Sequence, residues 1–92
     1  MTVKKLLNTT REYYEMANRT KSTYAITNVI RSYDIFCTMF QLQLISQKTF
    51  NLYFADFYNM ASTLYLELAN DREREEIKKH ILSITFDDFD DK

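Results

Sequence analysis

Neither glycine nor proline occurs among the 92 residues of this chain. Tight β-hairpin turns need positive φ at their central positions, and glycine is the residue that reaches that region without steric cost. A β-rich fold of short hairpins is therefore disfavoured. Any left-handed turn position should fall to Asn or Asp, whose short polar side chains tolerate it best among the remaining residues.

A stripe on the second half of the chain gives the positive signal. Phe50, Phe54, Phe57, Ala61, Leu64 and Leu68 recur at intervals of four and three, the spacing of one face of an α-helix. Tyr53, Tyr58, Met60 and Tyr65 widen that face on both sides. So broad an apolar surface needs other helices to cover it, and the rest of the sequence supplies them.

A first helix is expected from Thr2 or Val3 to about Asn18, with Val3, Leu6, Leu7, Thr10, Tyr13, Tyr14 and Ala17 on one side and Thr2 as N-cap. Asn18–Ser22 reads as its connection, with Asn18 suited to the left-handed stop. A second helix is expected from Ser22 or Thr23 to Leu44. Ile26, Val29, Ile30, Tyr33, Phe36, Cys37, Phe40 and Leu44 form its core face. Ser46 caps the third helix, and the short connection makes helices 2 and 3 a long antiparallel hairpin. Asn70 and Glu73 have the spacing of a capping box at the start of a short, charged fourth helix carrying Ile77, Ile81, Leu82 and Ile84. That helix should fade near Ser83. The expected fold is all-α: a small bundle of about four helices over residues 1–85, followed by an acidic-aromatic tail, residues 86–92, predicted to be mobile and outside the core.

Charge and cysteine content narrow the function classes. The net charge of −1 gives no global attraction to nucleic acid or anionic lipid, although the N-terminal third is basic and the C-terminal end acidic. A single cysteine, Cys37, excludes an intramolecular disulfide and a thiol metal pair. No run approaches the ~18 apolar residues of a membrane span. The early residues lack the pattern of a signal peptide. A soluble, cytoplasmic protein is the expectation.

Catalysis has little to stand on. His80 is the only histidine, and Glu76 its only neighbour one turn back, so a surface histidine is the better reading than a metal ligand. Cys37 falls on a core stripe without a basic neighbour and reads as an inert thiol. No phosphate-binding loop and no Ser/His/Asp grouping is present. No enzyme activity, metal or cofactor is expected.

Interaction remains. Tyr24, Ile35, Met39 and Leu42 lie opposite the core face of helix 2, and Leu52 and Leu66 opposite that of helix 3. A helix apolar on two sides is central in its bundle or half of an interface, and the expectation is a homodimer through these six residues. In the tail, Phe86 and Phe89 stand among Asp87, Asp88, Asp90 and Asp91. Aspartates that steer and phenyl rings that anchor would suit a protein partner with a basic surface. A small dimeric DNA-binding regulator using the basic N-terminal third is the competing class; its charges are spread around helix 1, and helices 2 and 3 are too long for a helix-turn-helix. In general character the chain, rich in residues with AT-rich codons, resembles small accessory proteins of phages and mobile elements. Some of these inhibit host or defence proteins, CRISPR nucleases among them. That resemblance implies a non-catalytic binding protein.

Overall fold

The computed structural model describes residues 2–81 and Phe89. Among the described residues four α-helices follow one another: α1 (Val3–Thr20), α2 (Thr23–Gln41), α3 (Gln47–Thr63) and α4 (Asp71–His80). Between α3 and α4 the chain continues through a π-helical turn, Leu64–Leu68. No strand occurs among the described residues.

Each helix starts where a side chain satisfies its free amides. Thr2 accepts from the Lys5 amide, Ser22 from Ala25, Ser46 from Thr49, and Asn70 from Glu73, each capping the first turn of the helix that follows. At Asn70 the capping box is complete, because the Glu73 carboxylate accepts from the Asn70 amide at 3.1 Å.

The helix ends depart from expectation. α1 runs two residues past Asn18, and the left-handed position is taken by Lys21 at φ 58°. Asn18 instead donates its side-chain amide to the Tyr14 carbonyl at 3.0 Å. α2 stops at Gln41, and the left-handed residue is Gln43 at φ 60°. The Gln43 amide donates to the Phe40 carbonyl and the Leu44 amide to the Met39 carbonyl. That pair of bonds is a Schellman motif, which closes the last turn of a helix by reversing the chain. The position goes to whichever residue the connection's length dictates, and in both turns that residue is neither Asn nor Asp.

α2 is the central helix. It packs most extensively against α1, and α3 runs antiparallel along its other side. Ala25, Ile26, Val29, Ile30, Tyr33 and Phe36 of α2 are buried, facing Val3, Leu6, Leu7 and Ala17 of α1 and Phe57 and Ala61 of α3 within one core. Aromatic rings join α2 to α3. Phe36 stacks on Phe57 at 4.4 Å and on Phe50 at 5.0 Å, Phe50 stacks on Phe40 at 4.2 Å, and Tyr33 meets Phe54 and Tyr58 edge-on. The partners rise along α3 as they fall along α2, which fixes the antiparallel register. Such stacked and edge-on pairs add about 0.5–1.5 kcal/mol each beyond their buried area.

The stripe that opens α3 is buried unevenly. Phe57, Ala61 and Leu64 are fully enclosed, whereas Phe50, Phe54 and Leu68 are half-buried. At its end the Ala69 amide bonds to the Leu64 carbonyl, five residues back, at 2.9 Å. This wider turn brings residues i and i+5 nearly into line. Leu64 and Ala69 are thus both buried, together with Tyr65.

Phe89 corrects the expected tail. Its ring is 1 % exposed and sits 5.3 Å from Tyr65, 5.7 Å from Tyr58 and 5.8 Å from Tyr33. An apolar ring gains more from that aromatic pocket than from water, whatever the charge of its neighbours in sequence. The ring is therefore part of the core.

Candidate functional site

The surface with the strongest claim to function is the end of the bundle where α2 turns into α3. From Ile35 to Gln47 the chain carries no charged residue, although the segment crosses an exposed turn. Solvent-facing turns normally collect charge, because their backbone and side chains remain hydrated. Here Ile35 is 41 % exposed, Leu42 64 % and Leu44 68 %. Met39, Phe40 and Ile45 are half-buried among them.

The Schellman motif assembles this rim. Ile35, Met39 and Leu42 follow one another along the outward face of α2 at helical spacing. Gln43 then reverses the chain, and the bond from Leu44 to the Met39 carbonyl sets Leu44 beside that face. Leu44 was expected on the core side of helix 2, but the helix ends three residues too soon for that. The uncharged run through the turn was the sequence signal for this rim, and periodicity alone passes over it.

The six residues expected to form one self-association surface are distributed over the molecule. Ile35, Met39 and Leu42 belong to the rim. Leu52 is 69 % exposed on the side of α3 turned away from its core stripe. Tyr24 lies at the opposite end of α2, about 27 Å from Leu42 at the usual helical rise. Its ring meets Tyr13 of α1 edge-on at 5.9 Å, with the hydroxyls 3.5 Å apart. That hydrogen bond, and the second phenol's charge when ionised, raise the Tyr13 pKa above its ordinary value. Leu66 is half-buried in the π turn and packs against the core. Of the tail residues expected to meet a partner, Phe89 is in the core, and Phe86, Asp87, Asp88, Asp90 and Asp91 lie outside the described residues.

A second constellation joins α4 to the bundle. Arg74 donates from Nε to the Tyr65 carbonyl at 2.7 Å and from its terminal nitrogen to the Leu66 carbonyl at 2.6 Å. Its guanidinium carbon also lies 5.5 Å from the centre of the Tyr65 ring. A planar fork of donors suits two adjacent carbonyls at a helix end, where no backbone amide follows to bond them. Glu73, besides its capping role, accepts from the Thr23 hydroxyl at the start of α2. Around that bond Lys21, Thr23, Asn70, Arg72, Glu73 and Glu76 line an open polar notch of about 650 Å³. The notch mixes both signs of charge and is wide open to solvent.

His80 lies at the exposed end of α4, 4.0 Å from Glu76. Among the described residues no group of three or more His, Cys, Asp or Glu side chains converges as a metal ion would require. Cys37 is half-buried on α2, and burial pushes its thiol pKa up, opposed in part by a hydrogen bond with Tyr33. No helix among the described residues is long and apolar enough to cross a membrane. Comparison with protein-family models, with curated proteins and with solved structures finds no match.

Proposed function

We propose that this protein is a non-catalytic binding module that engages another protein through the apolar rim of Ile35, Met39, Leu42 and Leu44. The uncharged, exposed run across the α2–α3 turn carries the reading. Exposed leucines scattered singly are ordinary, but leucines gathered at one end of a small domain and free of charge mark a contact surface. The accessory-protein character suggested by composition makes a host or defence protein the first class of partner to test, with inhibition or modulation as the outcome. A second copy of the chain is the simplest occupant, and the aspartates at 87, 88, 90 and 91 would steer a partner with a basic surface.

Leu42→Glu with Leu44→Glu tests this. Both side chains point to solvent, so helicity by circular dichroism and the melting temperature should stay near wild type. Sedimentation velocity at high micromolar concentration should show self-association of the wild type and its loss in the double variant. If the wild type is monomeric, proximity labelling in the source cells should enrich a protein that the variant does not. A variant that retains every association of the wild type would remove the rim from consideration. Binding to a DNA duplex with steep salt dependence would favour a nucleic-acid regulator instead.

A further inference from the structure

Among the described residues, α4 is attached by little apolar surface. Of its ten residues only Ile77 is buried, and Ile81 at its C-cap adds one more side chain. The pairs Asp71–Arg74, Glu75–Lys78 and Glu76–Lys79 run along the helix itself, so they contribute to its helicity and not to its docking. A helix this short is marginal once detached. Ile77 and Ile81 join the one buried core, to which α1, α2 and α3 contribute most of the side chains.

What distinguishes the attachment is where Arg74 is anchored. The Tyr65 and Leu66 carbonyls belong to the π turn, and the Asn70 amide, five residues after Tyr65, is turned to the Glu73 carboxylate. Arg74 therefore supplies the donors for the open end of the π turn while its guanidinium covers the Tyr65 ring. The Lys78 ammonium, one turn further along α4, lies 6.0 Å from the same ring. A π turn is held less well by its own hydrogen bonds than an α turn, and is correspondingly sensitive to such outside support.

We propose that α4 and the π turn form a latch: α4 lifts from the bundle while α1–α3 stay folded, and residues 64–68 loosen with it because Arg74 ties the two. Opening takes Arg74 and Lys78 away from the Tyr65 ring, which keeps its contact with Phe89, and frees the carbonyls at the end of the π turn. The latch is the lowest-energy opening of the molecule, and it turns on Ala69 and Asn70, the two residues between the elements.

Native-state hydrogen exchange on the full chain tests it, using two single variants. Ile26→Val weakens the core that α2 shares with α1 and α3 and changes no residue of α4 or of the π turn. Amides in the middle of α2, such as those of Ile30 and Phe36, should exchange about two- to tenfold faster. The Ile77 and Lys79 amides of α4 should keep their wild-type rates, because their opening does not pass through loss of that core. Arg74→Ala should accelerate the α4 amides about tenfold or more, and the Ala69 amide by the same factor. Acceleration of α4 in step with α2 in Ile26→Val would overturn the latch, since α4 would then open only by global unfolding. An Ala69 amide that keeps its wild-type rate in Arg74→Ala would overturn the tie to the π turn.

Discussion

Arg74 Nε stands 2.7 Å from the Tyr65 carbonyl oxygen, a charged donor from α4 placed on the terminal turn of the preceding helix. The two residues thus meet twice, backbone carbonyl to guanidinium and ring face to guanidinium. Lys78, one turn further along α4, reaches the same ring face at 6.0 Å, but the carbonyl contacts are those of Arg74.

Arg74→Ala should lower the free energy of unfolding by about 1.5–3 kcal/mol, the range for a hydrogen bond to a charged group. Arg72→Ala, on the exposed side of the same helix, should stay within about 0.5 kcal/mol of wild type. Urea denaturation followed by circular dichroism measures both. Equal effects would mean that the loss comes from helix charge in general and not from the carbonyl contact.

Phe89→Ala should destabilise the protein by about 3–5 kcal/mol, because it empties a site enclosed by Tyr33, Tyr58 and Tyr65. Phe57→Ala, in the middle of the ring stack, should cost about as much. Thermal melts of the two variants give the comparison. A Phe89→Ala protein with an unchanged melting temperature would return residue 89 to the surface.

Gln43→Gly and Lys21→Gly should each stabilise the fold. A residue with a Cβ held in the left-handed region is strained by about 1–2 kcal/mol. Glycine removes that strain but adds about 0.4–1 kcal/mol of unfolded-state entropy to overcome. A net gain of roughly 0.5–1 kcal/mol is expected at each site, seen as a higher urea midpoint. A loss at either site would show that the longer side chain contributes packing that outweighs the strain.

Cys37 should react slowly with thiol reagents in the folded protein and rapidly in urea, because burial holds its pKa above the ordinary thiol value. The sign for stability follows from the same shift. The unfolded thiol loses its proton first as pH rises, so the contribution of Cys37 is whole below the unfolded pKa and is lost as pH climbs through the higher folded value. Comparing Cys37→Ala with wild type across that alkaline range isolates the effect from the tyrosines. Native labelling as fast as in urea would contradict it.

The helices were legible because their signals are local. Thr2, Ser46 and Asn70 cap where their side chains predicted, and the periodic faces of Leu6, Val29 and Phe57 are the buried ones. What was hidden is set by contacts distant in sequence or by backbone geometry. Lys21 and Gln43 have no special liking for the left-handed region, and only the reach of the connection places them there. Arg74 sits in a run of charges that reads as a solvated helix face, and nothing in the run singles it out for the Tyr65 carbonyl. The π turn has no composition of its own. The periodicity that points Leu44 to the core runs past Gln41, the residue at which the helix stops. The aspartates beside Phe89 point to water, whereas its place is decided by three tyrosines far back along the chain.

The burial of Phe89 also sets an order of events during synthesis. Chains are made from the N-terminus, and early segments fold while later ones are still within the ribosome. The α1–α2 pair relies on contacts near in sequence and can collapse early. Tyr33, Tyr58 and Tyr65 must wait, with their pocket unfilled, until translation has passed residue 89 and released it from the exit tunnel. For that interval a nascent chain with three helices already wound still shows an aromatic hollow to chaperones and proteases, and the ring of Phe89 closes it only once that residue has emerged.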